Sequence, residues 1–510
     1  MSGVGAVRRK VLFPEFSDFR GKYDAGKAQI VWTRISSDLE TPVSAYLKLC
    51  GHGVYSFLLE SVEGGATLGR YSIIGMQPDL LWRCRDGRVD VAHGSGEDWA
   101  ASDVDALASL KEIIAESAIE GTPQDLPPMC AFGLFGYLGY DMVRLIEDIP
   151  QTKPDVLGIP DSVLMRPQVL AIFDNVKNQI VLARAVYAHA GNSRETAADV
   201  YKDACGDLEG ALDKLFAPLA PELLAHGTIL QTPLPVSSNT AADAYRGMVE
   251  KAVEYIRAGE IFQVVPSQRF SVPFDLPSFE LYRSLRSVNP SPFLFHLAFD
   301  DFSLVGSSPE ILVRVRDGEV TIRPIAGTRK RGKSAEEDKA LAADLLGDPK
   351  ECAEHLMLLD LGRNDVGRVA EIGSVKVTGK FEIEYYSHVM HIVSNVTGVL
   401  RKGLDIVDAL FAGFPAGTVS GAPKIRAMEI IEELEVNKRS FYAGAVGYFS
   451  GQTLDSCIAL RTALVKDGRV YVQAGGGVVA DSTPEGEYQE TCNKARAVLT
   501  AAEMAVDKYL

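Results

Sequence analysis

Two pairs of glutamates stand three residues apart in segments of helical pattern: Glu351 with Glu354, and Glu487 with Glu490. That spacing puts both carboxylates of a pair on one helix face. Two such faces brought together could hold a divalent cation, and an all-oxygen donor set favours Mg²⁺. The alternative for either helix alone is a solvated face, with Glu490 paired to Lys494 one turn on. In the first helix the pattern groups His355 with the glutamates and sets Ala353, Leu356 and Met357 opposite. His391, one of only 8 histidines, suits a general acid or base if it faces a cleft, although a buried, satisfied histidine is the commoner case. Cys457, Ala459 and Arg461 read as one face of a strand, where a fork of N–H donors beside small neighbours leaves room for an anion. Gly475, Gly476 and Gly477 would expose bare amides to a ligand, without the Gly-x-Gly-x-x-Gly spacing of a dinucleotide site. Gly417 to Lys424 is a loop feeding a helix and lacks the ending of a P-loop. The basic cluster Arg323 to Lys333 is interrupted by Pro324, Ile325, Ala326, Gly327 and Thr328, which a plain solvated charge run would not contain.

Elements of a large globular chain must position these groups. The 510 residues are 46% hydrophobic, and 52 basic against 68 acidic side chains give a net charge of −16. Such a field disfavours nucleic acid and anionic membranes, so neither is expected as a partner. It also means that an anionic substrate needs a local device: a metal ion, an arginine or a helix N-terminus. Seven scattered cysteines, never in Cys-x-x-Cys spacing, read as reduced thiols of a cytoplasmic protein. No signal-peptide core follows Arg8, Arg9 and Lys10, and the uncharged stretch from Leu126 to Tyr140 falls short of the ~18 residues of a membrane span.

Asp86-Gly87, Asp317-Gly318 and Asp467-Gly468 each separate runs of β-formers and predict tight hairpins, with a weaker example at Asn175 to Asn178. Helical patterns fall between them at Ser102 to Ala115, Asp243 to Ala258, Lys350 to Leu361 and Ala422 to Glu435. Two-residue hairpins cannot join parallel strands. The expected fold class is therefore α+β: duplicated helix and hairpin units building two large, mainly antiparallel sheets, packed together and covered by helices in four α/β/β/α layers. The Pro-rich stretch after residue 217 suggests a tail over 1–25, an N-terminal domain over 26–217, a linker over 218–240 and a catalytic domain over 241–510. From the residues alone two readings stand: an Mg²⁺-dependent enzyme acting on a small anionic metabolite, or a non-catalytic sensor of one.

Ile325 to Arg329, Glu354 to Asp365, Ser420 to Lys424, Gly475 to Gly477 and Glu490 to Lys494, in this order, closely resemble the chorismate-utilising enzymes, and among them the synthase components of anthranilate synthases. The resemblance covers nearly all of the chain after the tail. It implies Mg²⁺-dependent conversion of chorismate and ammonia to anthranilate and pyruvate, the first step of tryptophan biosynthesis. The cation would be held by Glu354 and Glu490. Arg461, Tyr442 and the amides of Gly475, Gly476 and Gly477 match the site for the enolpyruvyl carboxylate, and Gly327 and Thr328 the ring end. His391 and Thr418 match residues beside the ring, His391 being the acid or base of the second step. Related aminodeoxychorismate synthases carry a nucleophilic lysine where Ala326 stands, and isochorismate and salicylate synthases a water-activating lysine where Gln263 stands; with neither, ammonia is the implied nucleophile. A separate glutamine amidotransferase subunit would supply it, in a hetero-oligomer. L-Tryptophan would inhibit from a site made by Leu59, Glu60 and Ser61 with Asn289 to Leu294, and specifically by Ser61, Pro292, Phe293 and Leu294.

Overall fold

The computed structural model of the chain describes residues 11–63, 67–94, 96, 98–187, 196–223, 233–386 and 389–507. Two long strands, Thr67–Arg85 and Ser162–Asp174, pair antiparallel from Tyr71 opposite Asp174 to Cys84 opposite Ser162. Halfway along, Pro78 faces Pro167 and the register shifts before Leu80, with Gln77 at φ 53°. Proline has no N–H for the ladder and a register shift bends a strand, so both strands change direction here and pass from one sheet to another.

On one side of this corner the ladder runs through Ser56–Glu63, Phe293–Ala298, Phe302–Ser308, Thr462–Lys466 and Arg469–Gly475 to Ser267–Pro273. On the other it runs through Leu134–Leu138, Ala445–Ser450, Thr453–Ile458 and Ile311–Arg316 to Glu319–Ile322 and Val389–Val399. The sheets face each other: Phe57 of the first stacks on Phe135 of the second, ring centroids 4.5 Å apart. Alternation along the strands sorts the cores. Phe57, Ile73, Phe295 and Leu304 enter the cluster between the sheets, while Leu58, Ile74, Leu294 and Val305 enter the one beneath the outer helices. The expected antiparallel α+β architecture is present, with one amendment. Among the described residues, the shared long strands join what was expected as two sheets into a single hydrogen-bonded network of 21 strands.

All three Asp-Gly hairpins form, with Arg85 opposite Arg88, Arg316 opposite Glu319 and Lys466 opposite Arg469. Both turn residues have positive φ in each, the geometry that suits right-twisted strands and that Asp-Gly tolerates. Helix Pro349–Val369 runs well past its expected end, because Gly362 packs against Ile322 and Pro324 instead of terminating it. The helix expected from Ser102 starts at Ala106, where Asp105 caps Leu107 and Ala108, and Trp99–Ser102 is a strand.

The segment expected as a tail holds helix Phe16–Asp24, whose Phe19 packs on Tyr201. The 217 and 241 boundaries fall between helices Ala197–Phe216 and Ala242–Arg257. Strands from either side of that boundary nevertheless pair directly, Ser56–Glu63 with Phe293–Ala298 and Leu134–Leu138 with Ala445–Ser450.

Gly306 lies under the ring of Phe295, and a Cβ there would come 2.1 Å from its Cζ. Phe295 is buried in the inter-sheet core and has nowhere to swing. Gly306→Ala should therefore destabilise the chain by ~1–3 kcal/mol, read as a lower urea midpoint at unchanged slope.

Candidate active site

The two carboxylate-bearing helices meet at the triple glycine. Asp348 caps helix Pro349–Val369 through the amides of Lys350 and Glu351, which fixes the turn that presents Glu351 and Glu354. Helix Pro484–Asp507 presents Glu487 and Glu490. Gly475 ends a strand opposite Ser267. A Cβ on Gly476 would lie 2.6 Å from Glu487 Oε2, and one on Gly477 would lie 2.8 Å from Gln263 Nε2 and 4.0 Å from Glu354 Oε1. A Cβ on Gly475 would touch the Tyr442 hydroxyl at 3.0 Å. Only glycine lets the backbone run this close to both helices and to Tyr442.

The local electrostatics favour a cation. Burial raises the Glu354 carboxyl above its usual range, and the neighbouring Glu351 and Glu490 add to the effect. Burial raises Glu487 as well, against the Ser482 hydroxyl, which donates to Oε1 at 2.7 Å. Glu487 Oε2 and Gln263 Oε1 are buried without a partner. Orphaned acceptor oxygens beside repelling carboxylates are groups that a bound cation would satisfy. Among the described residues no three acidic, His or Cys side chains converge as a closed metal cage. Mg²⁺ needs none, since it keeps several waters and takes one or two carboxylates together with substrate oxygens. Glu490 is bonded by Lys494 at 2.7 Å, and Lys494 also donates to the Gly475 carbonyl at 3.0 Å.

Away from the carboxylates the site turns positive. Strand Ile325–Lys330 pairs with Val389–Val399 so that Thr328 faces His391, and the register breaks at Gly327, whose φ is 70°. This bulge directs the Gly327 carbonyl at His391 Nδ1, 3.0 Å away, with the Thr328 hydroxyl also at 3.0 Å. A carbonyl only accepts, so Nδ1 carries the proton and Nε2 is left as the basic nitrogen. Burial lowers the His391 pKa to about 4, Arg461 assisting and Gly327 opposing. Arg461 does not continue the strand face expected for it. The strand ends at Ile458, and Arg461 sits at φ 47°, its carbonyl accepting from the Ser307 amide. Burial lowers its pKa, and among the described residues no carboxylate or carbonyl pairs with its guanidinium. A half-buried arginine without a carboxylate partner is placed to receive an anion.

Glu310 was not legible in the sequence, beyond being a lone carboxylate between apolar strand runs. The Thr418 hydroxyl donates to its Oε1 at 3.2 Å. Burial raises its pKa to about 8, against the Thr418 and Ile325 hydrogen bonds, so the carboxyl is protonated near neutrality. Contrary to the expected grouping with the glutamates, His355 is fully buried and bonded to Ser394, while Leu356, expected on the opposite side, is exposed; the helix lies on strand Val389–Val399 through the His355 side.

The two segments expected to hold an effector are brought together, Leu294 pairing with Glu60. Glu60 is buried and receives the Arg286 guanidinium at 2.7 and 3.1 Å and the Tyr282 hydroxyl. Ser61, Pro292 and Phe293 are half-buried there. The Leu294 side chain faces the helix-side core, 1% exposed, and can offer only its backbone. A cavity of about 400 Å³ between Tyr46, Phe279, Phe302 and Gly468 contains none of the expected site residues.

Residues 70–500 match the family model of the chorismate binding enzymes. The chain is 55% identical over 498 residues to anthranilate synthase component 1 of Cereibacter sphaeroides, covering 96% of this chain and 97% of that protein. It is 49% identical over 474 residues to the protein of that name in Pseudomonas aeruginosa, covering 92% and 94%. Among solved structures, anthranilate synthase component I of Streptococcus pneumoniae superposes with a TM-score of 0.74 at 41% identity, over 91% of this chain and 99% of that one. The menaquinone-specific isochorismate synthase of Escherichia coli shares the fold, with a TM-score of 0.67 at 20% identity over 94% of this chain and 95% of that one.

Between the ordinary glutamate value of 4.5 and about 8, the folded chain holds a proton on Glu310 that the unfolded chain has lost. Stability should therefore fall as pH rises through that window. Glu310→Gln should remove this loss, raising stability at pH 8 by up to ~4 kcal/mol and leaving it nearly unchanged at pH 4, as measured by denaturant titration at both pH values.

Proposed function

The chain belongs to the family of chorismate-binding enzymes, and on that premise we propose that it converts chorismate and ammonia to anthranilate and pyruvate. The observation that carries the reading is the division of the site into a carboxylate pair at one end and the unpaired Arg461 at the other, which suits a substrate with two carboxylates. Glu354 and Glu490, with Glu351 and Glu487 behind them, would hold Mg²⁺. When bound, that ion supplies the positive charge that neutralises the ring carboxylate and eases loss of the C4 hydroxyl.

The side chains divide the remaining work. Arg461, Tyr442 and the Gly477 amide receive the enolpyruvyl carboxylate beside Gly475 and Gly476, the Gly476 amide itself being taken by the Pro266 carbonyl at 3.2 Å. Glu310, protonated and oriented by Thr418, hands its proton to the departing C4 hydroxyl, which leaves as water while ammonia attacks C2. His391, bound through Nδ1 to Gly327, takes the C2 proton on Nε2; the ring becomes aromatic, the bond to the enolpyruvyl oxygen breaks, and its methylene is protonated to give pyruvate. Gln263 stands where a lysine would activate water, and its amide is engaged by Glu354 at 3.2 Å. Ala326 offers no nucleophile. Ammonia is thus the attacking group, delivered by a separate glutamine amidotransferase subunit, consistent with relatives named component 1. L-Tryptophan inhibits from the Ser61, Pro292, Phe293 and Leu294 backbone site. The seven free cysteines accord with a cytoplasmic setting, and no described helix is long and apolar enough to cross a membrane.

Incubation with chorismate, Mg²⁺ and an ammonium salt should yield anthranilate, identified by its fluorescence and mass. Salicylate, isochorismate or a 4-amino product would overturn the assignment. Glu354→Gln and Glu490→Gln should each slow the reaction on the order of 100-fold or more and raise the Mg²⁺ requirement. Saturating tryptophan should suppress wild-type turnover, and a Ser61→Phe chain should resist it at unchanged basal rate; turnover indifferent to tryptophan in the wild type would remove the effector site from the account.

A further inference from the structure

Arg439 and Glu435 form an ion pair that solvent hardly reaches, their side chains 1% and 4% exposed. Arg439 Nε lies 3.1 Å from both carboxylate oxygens, and Nη2 lies 2.6 Å from Oε1. Burying such a pair returns little stability in itself, because desolvation offsets the attraction. What the pair holds is more informative. Arg439 Nη1 donates to the Val419 carbonyl at 2.7 Å, next to Thr418, and Nη2 to the Val265 carbonyl at 2.5 Å, two residues from Gln263. Glu435 Oε1 accepts from the Ser267 amide at 2.8 Å and hydroxyl at 2.7 Å, and Ser267 is the strand partner of Gly475. The guanidinium carbon is 5.4 Å from the centre of the Tyr442 ring and, on the N-terminal half of the chain, 4.9 Å from that of Tyr140.

We propose that Arg439 is a positioning residue for the reaction: without touching substrate, it registers Thr418, the Gln263 strand and the Gly475 and Tyr442 cradle against one another. The inference rests on the functional reading above. A planar fork with five donors can bridge two carbonyls on separate segments and a carboxylate at once; a lysine ammonium is a point charge on a stem that reaches one segment at a time. Losing the fork should loosen the relative placement of groups that act on opposite ends of chorismate, and near-attack geometry is sensitive to displacements of an ångström.

The test compares Arg439→Lys with Arg166→Lys, a second buried arginine change, whose Asp79 partner at 2.7 Å belongs to the N-terminal half. Both are assayed for melting midpoint and for kcat and KM with chorismate, Mg²⁺ and ammonium. With similar shifts in midpoint, Arg439→Lys should lose at least 30-fold in kcat and raise the chorismate KM, while Arg166→Lys keeps wild-type constants. Glu435→Gln, which leaves both carbonyl bonds of Arg439 available, should lie between. Wild-type constants in a folded Arg439→Lys protein would overturn the proposal, as would failure of both Arg439→Lys and Glu435→Gln to fold where Arg166→Lys folds. An inactive wild type would instead sink the functional reading on which the proposal rests.

Discussion

A half-buried guanidinium without a carboxylate, in a chain carrying sixteen excess negative charges, is the constraint around which the site is organised. Leaving Arg461 unpaired costs stability, and the acidic surroundings offer many ways to pair it. The fold prevents this by ending the strand at Ile458 and turning the backbone to positive φ, which carries the side chain away from its ladder neighbours and towards Tyr386 and His391. Burial, with a smaller contribution from the same positive charge, keeps His391 unprotonated.

Everything else keeps that polarity intact while bringing the opposite end of the site near. The carboxylate helices can approach only because three successive glycines separate them from the strand end. The strand bearing Gly475 is fixed by Ser267, and Ser267 by Glu435 and Gln473, so the cradle is anchored from behind by a buried polar network and not from the solvent side. Long strands shared between the sheets tie the segment carrying Ser61 to the same framework. An effector at that point would act on a sheet continuous with the one holding Gly475.

Much of this was legible from residues alone, and for identifiable reasons. Asp-Gly turns announce themselves because few other dipeptides accept positive φ twice in succession. Glutamates three apart announce a shared helix face, and three consecutive glycines a close approach. What stayed hidden depends on partners distant in sequence. Glu310 looks like any strand-end carboxylate until Thr418 closes over it from more than a hundred residues away. His355 was placed with the wrong neighbours because helix periodicity gives relative faces but not which face meets the sheet. Arg439 carries no signal in the sequence, and only the Val265 and Val419 carbonyls give it a meaning.

The central claim is that the site holds a dianion by opposite devices at its two ends, a carboxylate-bound cation and a free arginine. A crystal structure grown with Mg²⁺ and chorismate in the absence of ammonia tests it directly. The account predicts metal density between Glu354 and Glu490, touching the ring carboxylate, and the enolpyruvyl carboxylate on Arg461. Chorismate lodged in the cavity beside Tyr46 and Phe279, or bound between the two helices with no cation and no contact to Arg461, would contradict it.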